Sequence, residues 1–160
     1  MLHFCEWLEK NPWIVAIDSS ILISLILEIL HYSGFFLLVG STAIVDLRVM
    51  GLAARRRTPI EVANQLFPWM WAGLSMAVFS GFFMFAGDAA DFYQAITFRV
   101  KILVVLVALA VGLLVRRQVP RWSERASIPV GAKVVAFLSL VLWIGAILIS
   151  VEVPAISGVG

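Results

Sequence analysis

Four apolar runs, each long enough to cross a lipid bilayer, leave this chain very few folds. They cover residues 21–48, 68–86, 98–116 and 133–153, and a helix of about 20 apolar residues spans the hydrocarbon. Each run is continuous and not alternating, which excludes a membrane β-barrel. Composition agrees: of 160 residues, 62% are hydrophobic and 14% charged, with a mean hydropathy of +1.01. Soluble domains carry about 25% charged residues, so a soluble enzyme, a disordered chain and a nucleic-acid binder are excluded. Cys5 is the only cysteine and has no partner within the chain. The expected fold is a single all-α domain over residues 1–160, an integral membrane four-helix bundle.

The loops sort by charge. Arg55, Arg56 and Arg57 follow the first span, just past Arg48; Arg116, Arg117, Arg121 and Arg125 follow the third, with Lys133 opening the fourth. The connection between the second and third spans holds Asp88 and Asp91 and no cation. The positive-inside rule then puts both basic loops in the cytoplasm and both termini outside, as expected for a multi-pass protein of a bacterial cytoplasmic membrane. The N-terminus reads as a short interfacial helix, with Phe4, Trp7 and Leu8 opposite Glu6, Glu9 and Lys10. Asp18-Ser19-Ser20 is expected to cap the first long helix.

Polar groups at membrane depth are costly and mark function by default. On the first span Ser20, Ser24, Glu28, Phe35, Leu38, Thr42 and Asp46 fall within about 60° of His31, a stripe suited to a bundle interior or a cofactor. His31 lies roughly 15 Å below the start of that helix at 1.5 Å per residue. An imidazole there needs partners for both nitrogens. Position alone leaves a metal-bound ligand and a hydrogen-bonded structural histidine equally open.

Lys101 shares its face of the third span with Val105, Ala108 and Gly112, and is expected to point inward, to Glu28 or to an anionic group of a ligand; Arg99 is expected to snorkel. The second span carries Gly73, Ala77, Ser80, Met84 and Gly87 along one stripe with Met76 nearby, and the fourth carries Ala136, Ser139, Trp143, Ala146 and Ser150. Small faces permit close helix packing and also make room for a flat ring. Met76 and Met84 are thioethers with two readings, core filling and axial ligation. Asp46 is expected to pair with Arg116. His3 is the one other histidine, a second ligand only if the N-terminal helix folds over the bundle.

The runs Leu30-His31-Tyr32-Ser33-Gly34 and Gly40-Ser41-Thr42, closed by Asp46-Leu47-Arg48-Val49-Met50-Gly51, resemble an uncharacterised bacterial family of small four-helix membrane proteins. Pro68-Trp69 at the head of helix two, the Gly81 to Phe85 stretch, and Phe98-Arg99-Val100-Lys101 at the head of helix three fit the same pattern. More distantly, His31 and Lys101 are similar to residues of the HemJ-type protoporphyrinogen oxidases and the copper-resistance protein D group. That resemblance implies a haem b on His31, with Lys101 at the haem or substrate site. The run of Trp and Tyr residues that follows the His in HemJ-type proteins is missing here.

These observations lead to a membrane b-type haem protein, an electron-transfer cytochrome or the haem-bearing subunit of a redox complex. Its cofactor site would draw on His31, Lys101, Glu28, Met84 and Met76, with His31 as the metal ligand. Quinone or a redox protein is the expected partner, in a homo-oligomer or larger complex. A second reading is a structural or assembly subunit without a cofactor, in which Glu28–Lys101 and Asp46–Arg116 are stabilising pairs and His31 hydrogen-bonds to serine or backbone. A third is transport of copper or a small solute.

Overall fold

The computed structural model describes residues 2–123 and 127–157, with side chains as far as Ser150; Arg125 of the second basic loop lies outside them. The helices in chain order are α1 (Leu2–Glu9), α2 (Pro12–Asp18), α3 (Ile21–Met50), α4 (Pro59–Gly87), α5 (Ala89–Gln94), α6 (Ile96–Ser123) and α7 (Val130–Ser157). α3, α4, α6 and α7 are long and apolar enough to cross a membrane, and between 11% and 28% of each apolar window is buried. Many of the remaining side chains face outward, among them Ile21, Leu22, Phe36, Phe79, Leu103 and Leu148. Such a surface is stable in hydrocarbon and not in water. The chain is a multi-pass membrane protein built as an all-helical bundle.

The helices overrun the expected spans. α4 starts at Pro59 and not at Pro68, because Thr58 and Glu61 form a capping box: the Thr58 hydroxyl accepts from the Glu61 amide at 3.3 Å, and the Glu61 carboxylate accepts from the Thr58 amide at 2.8 Å. Those contacts satisfy donors at a helix start that otherwise lack partners. Pro68 therefore sits inside a continuous helix, just as Pro120 sits inside α6. The expected cap at Asp18-Ser19-Ser20 is also corrected. Ser20 is the N-cap of α3 but makes no side-chain bond, and the Asp18 carbonyl instead accepts from the Ser24 hydroxyl at 3.3 Å.

The N-terminal segment is two helices where one was expected. Asn11 caps α2, its side chain accepting from the Trp13 amide at 3.0 Å. α1 and α2 fold over the bundle end that carries the acidic connection. Cys5 and Ile14 are buried there, and Glu9 accepts from the Ala90 amide at 2.6 Å. Phe4, Trp7 and Trp13 stay exposed, as amphipathic anchors at a membrane interface do.

Two apolar clusters fill the interior. One, nearer the basic loops, joins Val49, Ala63, Val115, Val119, Ala132 and Ala136; the other, at mid-depth, joins Leu38, Ala108, Trp143 and Ala146. The small-residue stripes read from the second and fourth spans are buried through Gly73, Ala77 and Ser80, and through Ala136, Ser139, Trp143 and Ala146. α3 and α4 approach most closely where Gly34 meets Gly73. A Cβ on Gly73 would lie 2.6 Å from the Gly34 carbonyl oxygen, and one on Gly34 2.7 Å from the Ala77 amide nitrogen. Only hydrogen fits between backbones that near.

Candidate functional site

His31 projects from α3 onto α4, one turn before the Gly34–Gly73 crossing. Its Nδ1 lies 3.0 Å from the Ala77 carbonyl oxygen and 3.3 Å from the Ser80 hydroxyl. A carbonyl oxygen only accepts, so Nδ1 carries the hydrogen. The Ser80 hydroxyl spends its own proton on the Met76 carbonyl at 2.6 Å, and its oxygen faces Nδ1 as a second acceptor. Gly81 makes room for the ring, since a Cβ there would stand 2.9 Å from Cε1. In the neutral ring the lone pair is then on Nε2, which makes no hydrogen bond among the described residues. A backbone carbonyl holding one imidazole nitrogen while the other is free is the arrangement that orients metal-bound histidines.

The other expected members of that site divide. Lys101 is half-buried on α6, near enough for its charge to act on the His31 ring. Ala108 and Gly112, on its helical face, are buried as expected. Met76 and Met84 stand one turn on either side of Ser80. Met76 packs its Cβ against Gly34, while Met84 is 37% exposed. Glu28 is a correction: it lies on the exposed side of α3, and no Glu28–Lys101 ion pair forms among the described residues. The bundle buries only the part of the α3 stripe from Leu38 onward. His3 is fully exposed and pairs with Glu6 at 3.8 Å, a short-range contact on α1 that leaves it no role at His31. Arg99 donates to the Tyr93 carbonyl at 2.6 and 2.8 Å and stacks on that ring, so it turns to the boundary as expected.

The second correction is at the basic end. Arg116 does not pair with Asp46. Its guanidinium donates to Asn64 Oδ1 at 3.1 Å and stacks 3.8 Å above the Phe67 ring, both on α4. Asp46 is completely buried, and both of its oxygens lack a hydrogen-bond partner. Ser139 Oγ and Trp143 Nε1, buried on α7, are likewise without partners. Helical periodicity found these residues but carried no signal that they would be left unsatisfied. Among the described residues, no three His, Cys, Asp or Glu side chains converge to hold a metal ion.

At the acidic end, burial pushes the Asp88 carboxyl above the usual aspartate range, reinforced by the charges of Asp18, Asp91 and Glu9. Asp18 approaches closely enough that a Cβ on Gly87 would be 2.7 Å from its Oδ1. This cluster closes the bundle under α1 and α2.

Comparison with characterised proteins and with solved structures finds no match. A family model matches residues 5–152, nearly the whole chain, and the protein therefore belongs to DUF6644, a family of unknown function.

Proposed function

We propose that this protein is a membrane b-type haem protein in which His31 supplies an axial ligand through Nε2. The observation that carries the reading is the hydrogen bond from His31 Nδ1 to the Ala77 carbonyl, which fixes the tautomer and aims the lone pair away from α4. The residues fit the group in their chemistry: an imidazole seated against Gly81 with Nδ1 committed, and a nearby cation at Lys101 suited to a haem carboxylate. A bound haem supplies one-electron redox chemistry, with its potential tuned by the axial ligand and the surrounding dielectric. The chain's own part is to hold the imidazole in one orientation, keep water out through the α3–α4 contact, and offset anionic charge with Lys101. Quinone or a redox protein is the proposed electron partner.

The basic loops support an orientation with both termini outside a bacterial cytoplasmic membrane. A C-terminal reporter active only outside the cytoplasm tests it.

The deciding measurement is a reduced-minus-oxidised absorbance spectrum of the purified protein. The expected result is a b-type spectrum that His31→Ala abolishes and Arg116→Ala leaves intact. A colourless wild-type protein, purified folded from haem-replete cells, overturns the proposal. The structural-subunit reading loses its two stabilising pairs, since neither Glu28–Lys101 nor Asp46–Arg116 forms among the described residues, but keeps its expected hydrogen bonds from His31 to backbone and serine, so the spectrum decides between the two.

A further inference from the structure

Asp46 is the most expensive side chain in the bundle as the protein folds. It is fully buried in a membrane helix, and neither carboxyl oxygen has a partner. A charge in such a place is far costlier than a neutral acid, so an unpaired buried carboxyl sheds its charge by keeping a proton. The Ser139 hydroxyl lies beside it on α7. One turn further along α7, the Trp143 N–H is also unused.

Two cavities adjoin these groups. One of about 20 Å³ is lined by Asp46, Ser41, Thr42, Gly112 and Arg116 among others; one of about 60 Å³ is lined by Thr42, Met70, Gly112 and Trp143 among others. They share Thr42, Met70 and Gly112. Each exceeds the roughly 10–15 Å³ that a single water needs. Asp46, Ser41, Thr42 and Arg116 are the polar residues around the smaller cavity, whose walls are otherwise apolar. The Thr42 hydroxyl donates to the Leu38 carbonyl at 2.8 Å and keeps its oxygen free to accept.

We propose that Asp46, with Ser139 of α7 beside it, forms a proton-binding site next to the cavity that Arg116 also lines. The ligand is a proton delivered by water: the neutral Asp46 acid gives its proton to a cavity water, leaving a carboxylate and a hydronium ion, and the reverse step reloads it. No electron moves. Of the charged groups, Arg116 of α6 faces the same cavity and is held by Asn64 and Phe67. The residues that α4 contributes to that cavity, Ala63, Leu66, Phe67 and Met70, are uncharged, and the facing positions of α7 are Ser139 and Trp143. The proposal does not depend on haem at His31.

Infrared spectroscopy of the full chain in lipid nanodiscs tests it. The expected result is a protonated-carboxyl carbonyl band at neutral pH that shifts in deuterated buffer. Asp46→Asn removes the band, Ser139→Ala moves it, and Asp88→Asn leaves it in place. Asp46→Asn is near-isosteric; if it fails to fold, the Ser139→Ala shift decides. No such band in the wild type, a band untouched by both substitutions, or a band that resists deuterium exchange overturns the proposal. So does a band that appears only when sodium is withdrawn, which marks a cation site.

Discussion

His31 and Asp46 stand on the same helix, 15 residues apart, and the bundle treats them in opposite ways. Around His31, α3 and α4 meet backbone to backbone at Gly34 and Gly73, and the imidazole hydrogen is taken by the Ala77 carbonyl. Around Asp46 the neighbours are α7 and α6, the carboxyl has no partner, and water-sized cavities remain. Close packing brings a backbone carbonyl within reach of a side chain; wider spacing leaves polar atoms facing space. One region holds a side chain by a backbone hydrogen bond, the other leaves a buried carboxyl unpartnered beside a small cavity.

The largest expected effect comes from the tight region. Gly73→Ala places a methyl group 2.6 Å from the Gly34 carbonyl oxygen, and overpacking a contact this close costs about 3 kcal/mol. Unfolding of the detergent-solubilised protein by increasing sodium dodecyl sulfate measures it. Loss below about 1 kcal/mol would mean that α3 and α4 slide apart without penalty.

Removing a polar group should then have opposite signs in the two regions. Asp46→Leu removes a buried acid without partners and partly fills the cavity beside it, so it is expected to stabilise by about 1–2 kcal/mol. Ser80→Ala removes a hydroxyl bonded to the Met76 carbonyl and facing His31, and is expected to destabilise by about 1 kcal/mol. The same unfolding titration reads both. Equal signs would erase the distinction drawn here.

The smallest effect is a pH dependence at the acidic end, where Asp88 has a folded pKa raised by burial and by Asp18, Asp91 and Glu9. Its contribution to stability is complete below the ordinary value of 3.8 and is lost as pH rises through the raised folded value. The protein is therefore expected to unfold at a lower temperature in neutral than in mildly acidic buffer, by a margin that Asp88→Asn reduces. An unchanged margin in the variant would assign the dependence to other groups.

Much of this arrangement was legible beforehand. Long apolar runs fixed four crossings, and a 3.6-residue period picked out the stripes that became the α4 and α7 interior. The start of α4 was missed because a capping box at Thr58 and Glu61 is a local signal that the apolar run, beginning nine residues later, overshadowed. The ion pairs were misjudged for a different reason. Periodicity gives a direction around one helix but not which neighbour stands there, so Glu28 was assigned an interior it does not face. Arg116 was assigned an acid when an amide and an aromatic ring on α4 were nearer.

The sequence by itself determined the membrane solvent, the number of long apolar helices and the polar stripes along them, because these follow from transfer energies and helical repeat along one chain. The tertiary structure alone decided which polar atoms are satisfied. A hydrogen bond requires two groups within about 3 Å, and such a distance is set by how helices cross. At Gly34–Gly73 they cross closely enough to commit His31, and between α3 and α7 they leave Asp46 uncommitted.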